Sequence, residues 1–157
     1  MDQQGRNQIA GIYQRQADTV YRVCFLFTKN AQDAADLTQS TFLRLLQHQP
    51  EFHSDAHEKA WLIVTAGNLC KDFLRHWWRR VAPLEEAEEG AAESSPETDQ
   101  VREQLLALPE KYRLPLYLFY YEGYSTAEIG QLLHKKESTV RSLLHRGRGQ
   151  LRDRCQG

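Results

Sequence analysis

The chain has 157 residues, a formal net charge of −1, and 41% apolar against 26% charged residues. These values are ordinary for a globular chain and exclude collagen-like and wholly disordered classes. No run approaches the roughly 20 apolar residues of a membrane helix, and Met1 to Gly11 lacks a signal-peptide core, so a cytoplasmic protein with no direct membrane insertion is expected.

Apolar residues recur at three and four spacing and almost never alternate, which predicts helices throughout. The first pattern runs through Ile9, Ile12, Tyr13, Val20 and Val23 to Phe27. Lys29 to Gln32 reads as a polar break. A second helix is expected from Asp33 to about Gln49, with Ala34, Leu37, Thr41, Leu45 and Gln49 as its stripe and Phe42 and Leu46 widening it. Pro50 ends it, because proline disfavours helix in the residue before it. Glu51 to Lys59 reads as a polar loop. A third helix is expected from near Glu58 to about Arg80, on a stripe of Leu62, Thr65/Ala66, Leu69, Phe73 and Trp77. Lys71, Arg75, Arg79 and Arg80 make its far end basic.

Composition then changes. Pro83 to Asp99 holds Glu85, Glu86, Glu88, Glu89, Glu93, Glu97 and Asp99 with no Lys or Arg. Like charge with few apolar groups cannot offset ordering entropy, so a linker is expected. Gln100 to Leu108 is read as a helix stopped by Pro109. Glu110 to Glu122 follows, with Pro115 near its start and Gly123 closing it.

Ser125-Thr126-Ala127-Glu128 is a capping box opening a short helix with Ile129, Leu132 and Leu133 on its apolar face. His134 to Glu137 reads as a polar turn, and Ser138-Thr139 opens a second helix. This layout is a helix-turn-helix. Gly130 provides the small residue for a close crossing, and Ile129, Leu133, Val140 and Leu143 are expected to fill the wedge. The outer face then carries Lys136, Arg141, Ser142, His145, Arg146 and Arg148, a positive patch hidden by the net charge. Arginine forks pair with guanine edges, worth about 1–3 kcal/mol of discrimination each, and other cations set register on phosphates.

In the first half, basic side chains interleave with aromatics over Trp61, Asn68, Lys71, Arg75, Trp77 and Trp78. That combination suits unstacked bases. Cys24, Cys70 and Cys155 are odd in number, widely spaced and without a CxxC, so buried or incidental thiols are expected, with no disulfide framework, no metal and no cofactor. His53 and His57 stand four apart but in a polar segment without further ligands. No nucleophile elbow, phosphate loop or paired catalytic carboxylate occurs, so no enzyme and no catalytic residue is expected.

Taken in order, the motifs resemble the extracytoplasmic-function (ECF) subgroup of the bacterial RNA polymerase sigma factor family. Asp33-x-x-Asp36-Leu37-Thr38-Gln39-x-Thr41-Phe42 is similar to its region 2 signature. Ala60-Trp61-Leu62 through Asn68-Leu69-x-x-Asp72-x-Leu74-Arg75 resembles its promoter-melting and minus-ten helix. Leu108 to Arg113, Tyr124 to Ile129 and Thr139 to Ser142 resemble region 4.

The resemblance implies an all-α chain of two small helical domains. A region 2 bundle at 8–81 would dock on polymerase and recognise and melt the minus-ten element. An acidic flexible linker would span 82–99, and a region 4 helix-turn-helix at 100–154 would read the minus-thirty-five element. It implies a non-catalytic factor directing promoter recognition and transcription initiation, with core RNA polymerase and promoter DNA as partners and an anti-sigma factor as a candidate third. Asp33, Asp36, Leu37, Gln39 and Phe42 match the docking segment. Phe52, His53, Ser54, Asp55, Trp61, Asn68, Lys71 and Arg75 match the minus-ten site, where a flipped base is captured. Lys136, Ser138, Thr139, Arg141, Ser142, His145, Arg146 and Arg148 match the minus-thirty-five helix. Val64, Gly67 and Leu143 depart from frequent basic residues, and Gly147 and Gly149 are expected to weaken the last helix by about 1 kcal/mol each. The alternative is a stand-alone helix-turn-helix regulator binding duplex operators, which leaves the Trp/Arg helix idle.

Overall fold

The computed structural model describes residues 3–81 and 103–156, with side chains described for 3–76 and 103–153. The regular structure among them is helical. It falls into two compact units, Met1–Ala91 and Ala92–Gly157. The acidic segment at 82–99 and the start of the helix expected from Gln100 lie outside the described residues, as do the side chains of Trp77, Trp78, Arg79, Arg80, Arg154 and Cys155.

The first unit is built from α1 (Gln3–Thr28), α2 (Ala31–His48) and α3 (Asp55–Val81). All three pack on one another. Val20, Val23 and Cys24 of α1 meet Ala34, Thr41 and Leu45 of α2 and Leu62, Ile63, Ala66 and Cys70 of α3 in a core from which water is excluded. The buried hydroxyls of Thr38 and Thr41 donate to the carbonyls of Ala34 and Leu37 at 2.7 and 2.8 Å, so neither is left unsatisfied. Cys24 and Cys70 are both buried and free. The Cys24 neighbour and burial together push the Cys70 thiol far above its ordinary range.

Two helix starts differ from expectation, for one reason. The Asn30 side chain accepts the Asp33 N–H at 2.9 Å, so the segment read as a polar break is an N-cap and the first turn of α2. The Ser54 hydroxyl accepts the His57 N–H at 3.1 Å and its carbonyl accepts the Glu58 N–H. The expected loop up to Lys59 is therefore helical from Asp55. The buried face of α3 is also rotated. Ile63 and Cys70 are fully buried, whereas Leu69 and Phe73 are half-buried. Gln49 is no stripe residue; it caps α2 in the left-handed region, with φ of 46°. Tyr13 faces outward, 51% exposed.

The second unit has helical residues at 103–106, then α4 (Glu110–Tyr120), α5 (Thr126–Leu133) and α6 (Glu137–Gln156). Its core joins Leu106, Leu108, Tyr112, Leu114, Leu116 and Leu118 to Ile129, Val140 and Leu144. Pro115 lies beyond the first turn of α4 and is buried, so Lys111 loses its helical donor. α4 stops at Tyr120, and Gly123 then turns the chain with φ of 80°. The capping box is complete: Ser125 accepts the Glu128 N–H at 3.1 Å, and Glu128 accepts the Ser125 N–H at 2.9 Å. Those bonds hold the Glu128 carboxyl below the usual carboxylate range.

Gly130 is needed for a different contact from the crossing expected. A Cβ there would lie 2.7 Å from the Lys135 carbonyl oxygen, because the turn folds back over the glycine and Lys135 donates to its carbonyl at 2.9 Å. Leu144 fills the wedge at 2% exposure, while Leu133 and Leu143 are half-buried. Gly147 is also a contact: a Cβ there would meet Leu116 Cδ1 at 2.8 Å and Tyr112 Cβ at 3.3 Å. Gly149, by contrast, has open space, with nothing within 4 Å.

Gly130→Ala should therefore lower stability by about 1–3 kcal/mol through overpacking against backbone. Gly149→Ala should raise it by up to about 1 kcal/mol through helix propensity. Chemical denaturation of the two variants checks the pair; equal effects would remove the close approach at Gly130.

Candidate nucleic-acid interface

Three surfaces carry the residues singled out above. The first is on α2. Gln32, Asp36, Gln39 and Leu43 recur at four, three and four, so they share one face. Asp36 and Gln39 are exposed, and Gln32 donates to Asp36 at 3.1 Å. Leu43 is 51% exposed, an apolar side chain on a polar ridge that the stripe analysis passed over. Asp33 is half-buried beside them; burial and then Asp36 push its carboxyl up. Leu37 and Phe42 face the other way. Both are buried, and Phe42 meets the Tyr13 ring edge-on at 4.9 Å. These two residues hold the helix in place and offer a partner little surface.

The second surface joins the residues before α3 to its exposed face. Phe52 packs edge-on to Trp61 at 6.0 Å and to His57 at 5.3 Å. His53 stacks on His57 with centroids 5.3 Å apart. His48, from the end of α2, approaches Trp61 at 6.5 Å. The His53 N–H donates to His57 Nδ1 at 3.2 Å, so that nitrogen carries a lone pair in this geometry. Phe52 and Trp61 are half-buried, while His53, Ser54, Asp55 and His57 are exposed. From this cluster, His57, Trp61, Val64, Asn68, Lys71 and Arg75 follow at alternating spacings of four and three along α3. Asn68, Lys71 and Arg75 are exposed. An aromatic platform thus leads into a polar and then basic track. Arg75 is paired with Asp72 at 3.3 Å.

The third surface is the outer face of α6. Lys136, Ser138, Thr139, Arg141, Ser142, His145, Arg146 and Arg148 are all exposed. Glu137 is bound by the Thr126 hydroxyl at 2.8 Å and by Arg141 at 3.5 Å, tying the start of α6 to the start of α5. Arg148 donates to the Tyr120 hydroxyl of α4 at 3.0 Å, which sets it to one side of the Ser138–Ser142–His145 ridge. Sequence spacing could not reveal that contact, since Tyr120 lies in another helix.

Among the described residues, no three His, Cys, Asp or Glu side chains converge as metal ligands, and no helix is long and apolar enough to cross a membrane.

Comparisons with known proteins follow the same division. Residues 12–80 match the family model of sigma-70 region 2, and residues 98–151 that of sigma-70 region 4. The chain is 35% identical to the ECF RNA polymerase sigma factor SigE of Mycolicibacterium smegmatis over 90% of its own length, and spans 59% of that relative. It is 30% identical to the ECF RNA polymerase sigma factor SigM of Bacillus subtilis, covering 90% of this chain and 91% of that one. Among solved structures, the sigma factor RpoE from Bartonella quintana, in complex with the anti-sigma factor NepR, superposes with a TM-score of 0.72 at 20% identity, covering 90% of this chain and 92% of that one.

His57→Ala removes the acceptor of the His53 N–H. It should therefore strip hydrogen-exchange protection from the His53 amide, after correction for intrinsic rates. Protection that persists in the variant would rule out the bond.

Proposed function

The chain belongs to the ECF RNA polymerase sigma factors, and from that premise we propose that it directs core RNA polymerase to promoter DNA and initiates transcription there. Residues 8–81 dock on the polymerase and take the minus-ten element, 82–99 link the two parts, and 100–154 read the minus-thirty-five element. The protein works in the cytoplasm and contributes binding, with no chemical step of its own.

The observation that carries this reading is the single exposed face of α3, where Trp61, Asn68, Lys71 and Arg75 follow the Phe52–His57 cluster. Half-exposed rings give an extruded base a stacking surface, and the basic side chains behind them hold the phosphates of an opened strand. An operator-binding regulator has no use for such a face. On α6, Ser138, Thr139, Ser142, His145 and Arg146 are the residues aimed at base edges, with Lys136, Arg141 and Arg148 on the flanking phosphates. The polymerase takes the α2 ridge: Asp36 and Gln39 as polar contacts, Asp33 at their edge, and Leu37 and Phe42 fixing the helix from beneath. Relatives of this fold are held by anti-sigma factors, as the RpoE–NepR pair illustrates, and we extend that class of partner to this chain.

Wild-type protein should be retained on immobilised core RNA polymerase, and Asp36→Arg/Gln39→Arg should abolish retention while melting as a folded protein. A folded wild type that core polymerase fails to retain would turn the assignment toward the stand-alone regulator. On minus-thirty-five duplex, Arg141→Ala should shallow the slope of log K against log salt by about 0.9, the value for one phosphate contact. An unchanged slope would take Arg141 off the backbone.

A further inference from the structure

Glu58 belongs to the first turn of α3, one residue after His57, and is 5% exposed. A buried carboxylate is costly unless its oxygens are occupied. Both are occupied from α1. Arg15 forks onto it, Nε to Oε1 at 3.2 Å and Nη2 to Oε2 at 2.9 Å. Gln16 Nε2 donates to Oε1 at 3.1 Å. Gln16 is itself buried, and its own Oε1 has no hydrogen-bond partner. Flipping that amide would aim an oxygen at the carboxylate, so Gln16 gives up an acceptor to keep Glu58 bound.

The consequence reaches the neighbouring site. Ser54 caps the same turn through His57, the His53 N–H is held by the His57 ring, and Phe52 packs on His57 and Trp61. The residues before α3 thus have their geometry set by one turn of helix, and that turn is tied to α1 through Glu58. We infer that Arg15, Gln16 and Glu58 are positioning residues for minus-ten capture, fixing the Phe52–His57–Trp61 platform against α1 so that it meets an extruded base in one geometry. The inference rests on the assignment of that platform to the minus-ten element. None of the three needs to touch DNA.

The test uses holoenzyme assembled from the full chain and core polymerase. The probe is a forked duplex whose single-stranded segment wild-type holoenzyme has selected from a randomised pool. Arg15→Ala and Glu58→Gln should each weaken fork binding about tenfold, the scale of losing a charge-assisted hydrogen bond. The double variant should be no weaker than Glu58→Gln alone, because both act through one contact. Retention on core polymerase and binding to minus-thirty-five duplex should not change. Phe27→Leu, a cavity in the same bundle eleven residues beyond Gln16 along α1, is the control for general loosening and should leave fork binding intact at an equal drop in melting temperature.

Fork binding by both variants at wild-type strength would overturn the inference while leaving the site assignment standing. A Phe27→Leu loss as large as that of Glu58→Gln would reduce the network to ordinary structural support and overturn it too. Failure of wild-type holoenzyme to select any strand would instead remove the minus-ten assignment, and the inference with it. Should Glu58→Gln not fold, Arg15→Ala carries the test, since Arg15 is 49% exposed and its loss leaves Gln16 on Glu58.

Discussion

The free N–H groups at a helix start must be satisfied, and in this chain that requirement decides where the recognition segments begin. Asn30 opens α2, Ser54 opens α3 and Ser125 opens α5. Each cap sets the residue at which its helix begins, and burial of the apolar stripe then decides which side chains face the core. In α3, Glu58 is buried, Trp61 half-buried, and His57, Asn68 and Lys71 exposed.

This also explains what could be read from the residues alone. Ser125 was legible because Glu128 three positions later completes a reciprocal pair, a pattern few other sequences imitate. Asn30 and Ser54 lack that partner. A lone Asn or Ser in a polar run is as good a turn residue as a cap, so both helices were expected to begin at their first obvious apolar repeat. The ends of α1, α2 and α5 were read to within about a residue, from the polar runs at Lys29 and His134 and from Pro50. Lys29, Gln49 and His134 all take left-handed backbone, at φ of 55°, 46° and 56°, without the glycine that usually marks such a cap. Only Pro50 betrayed the end of α2.

Packing between helices accounts for the remaining differences. The all-helical class and the helix-turn-helix followed from periodicity, which depends on local spacing. The choice of Leu144 over Leu143 for the wedge, and the value of Gly147, depend on what α4 presents to α6. Leu116 and Tyr112 leave no room for a side chain at 147, so a residue that looks like a helix defect is a position where α4 packs tightly on α6. The Arg15–Gln16–Glu58 contact was invisible for the same reason: more than forty positions separate its halves, and nothing in either segment alone distinguishes a buried carboxylate from a solvated one.

The charge of α6 shows why a count of basic residues is a poor measure of a DNA-binding face. Arg141 is balanced by Glu137 at 3.5 Å, an exposed pair of the kind worth about 0–1 kcal/mol, so a phosphate can displace the carboxylate at little cost. Arg148 is held by a phenol, which carries no charge; its guanidinium keeps its full field while its direction is set by α4. The two contacts therefore act oppositely. Glu137 screens one cation, and Tyr120 orients another without screening it. Near-neutral total charge with such local arrangement keeps long-range attraction to arbitrary duplex low and leaves the close-range contacts intact. That balance fits the proposed reading, in which core polymerase shares in holding the protein on promoter DNA.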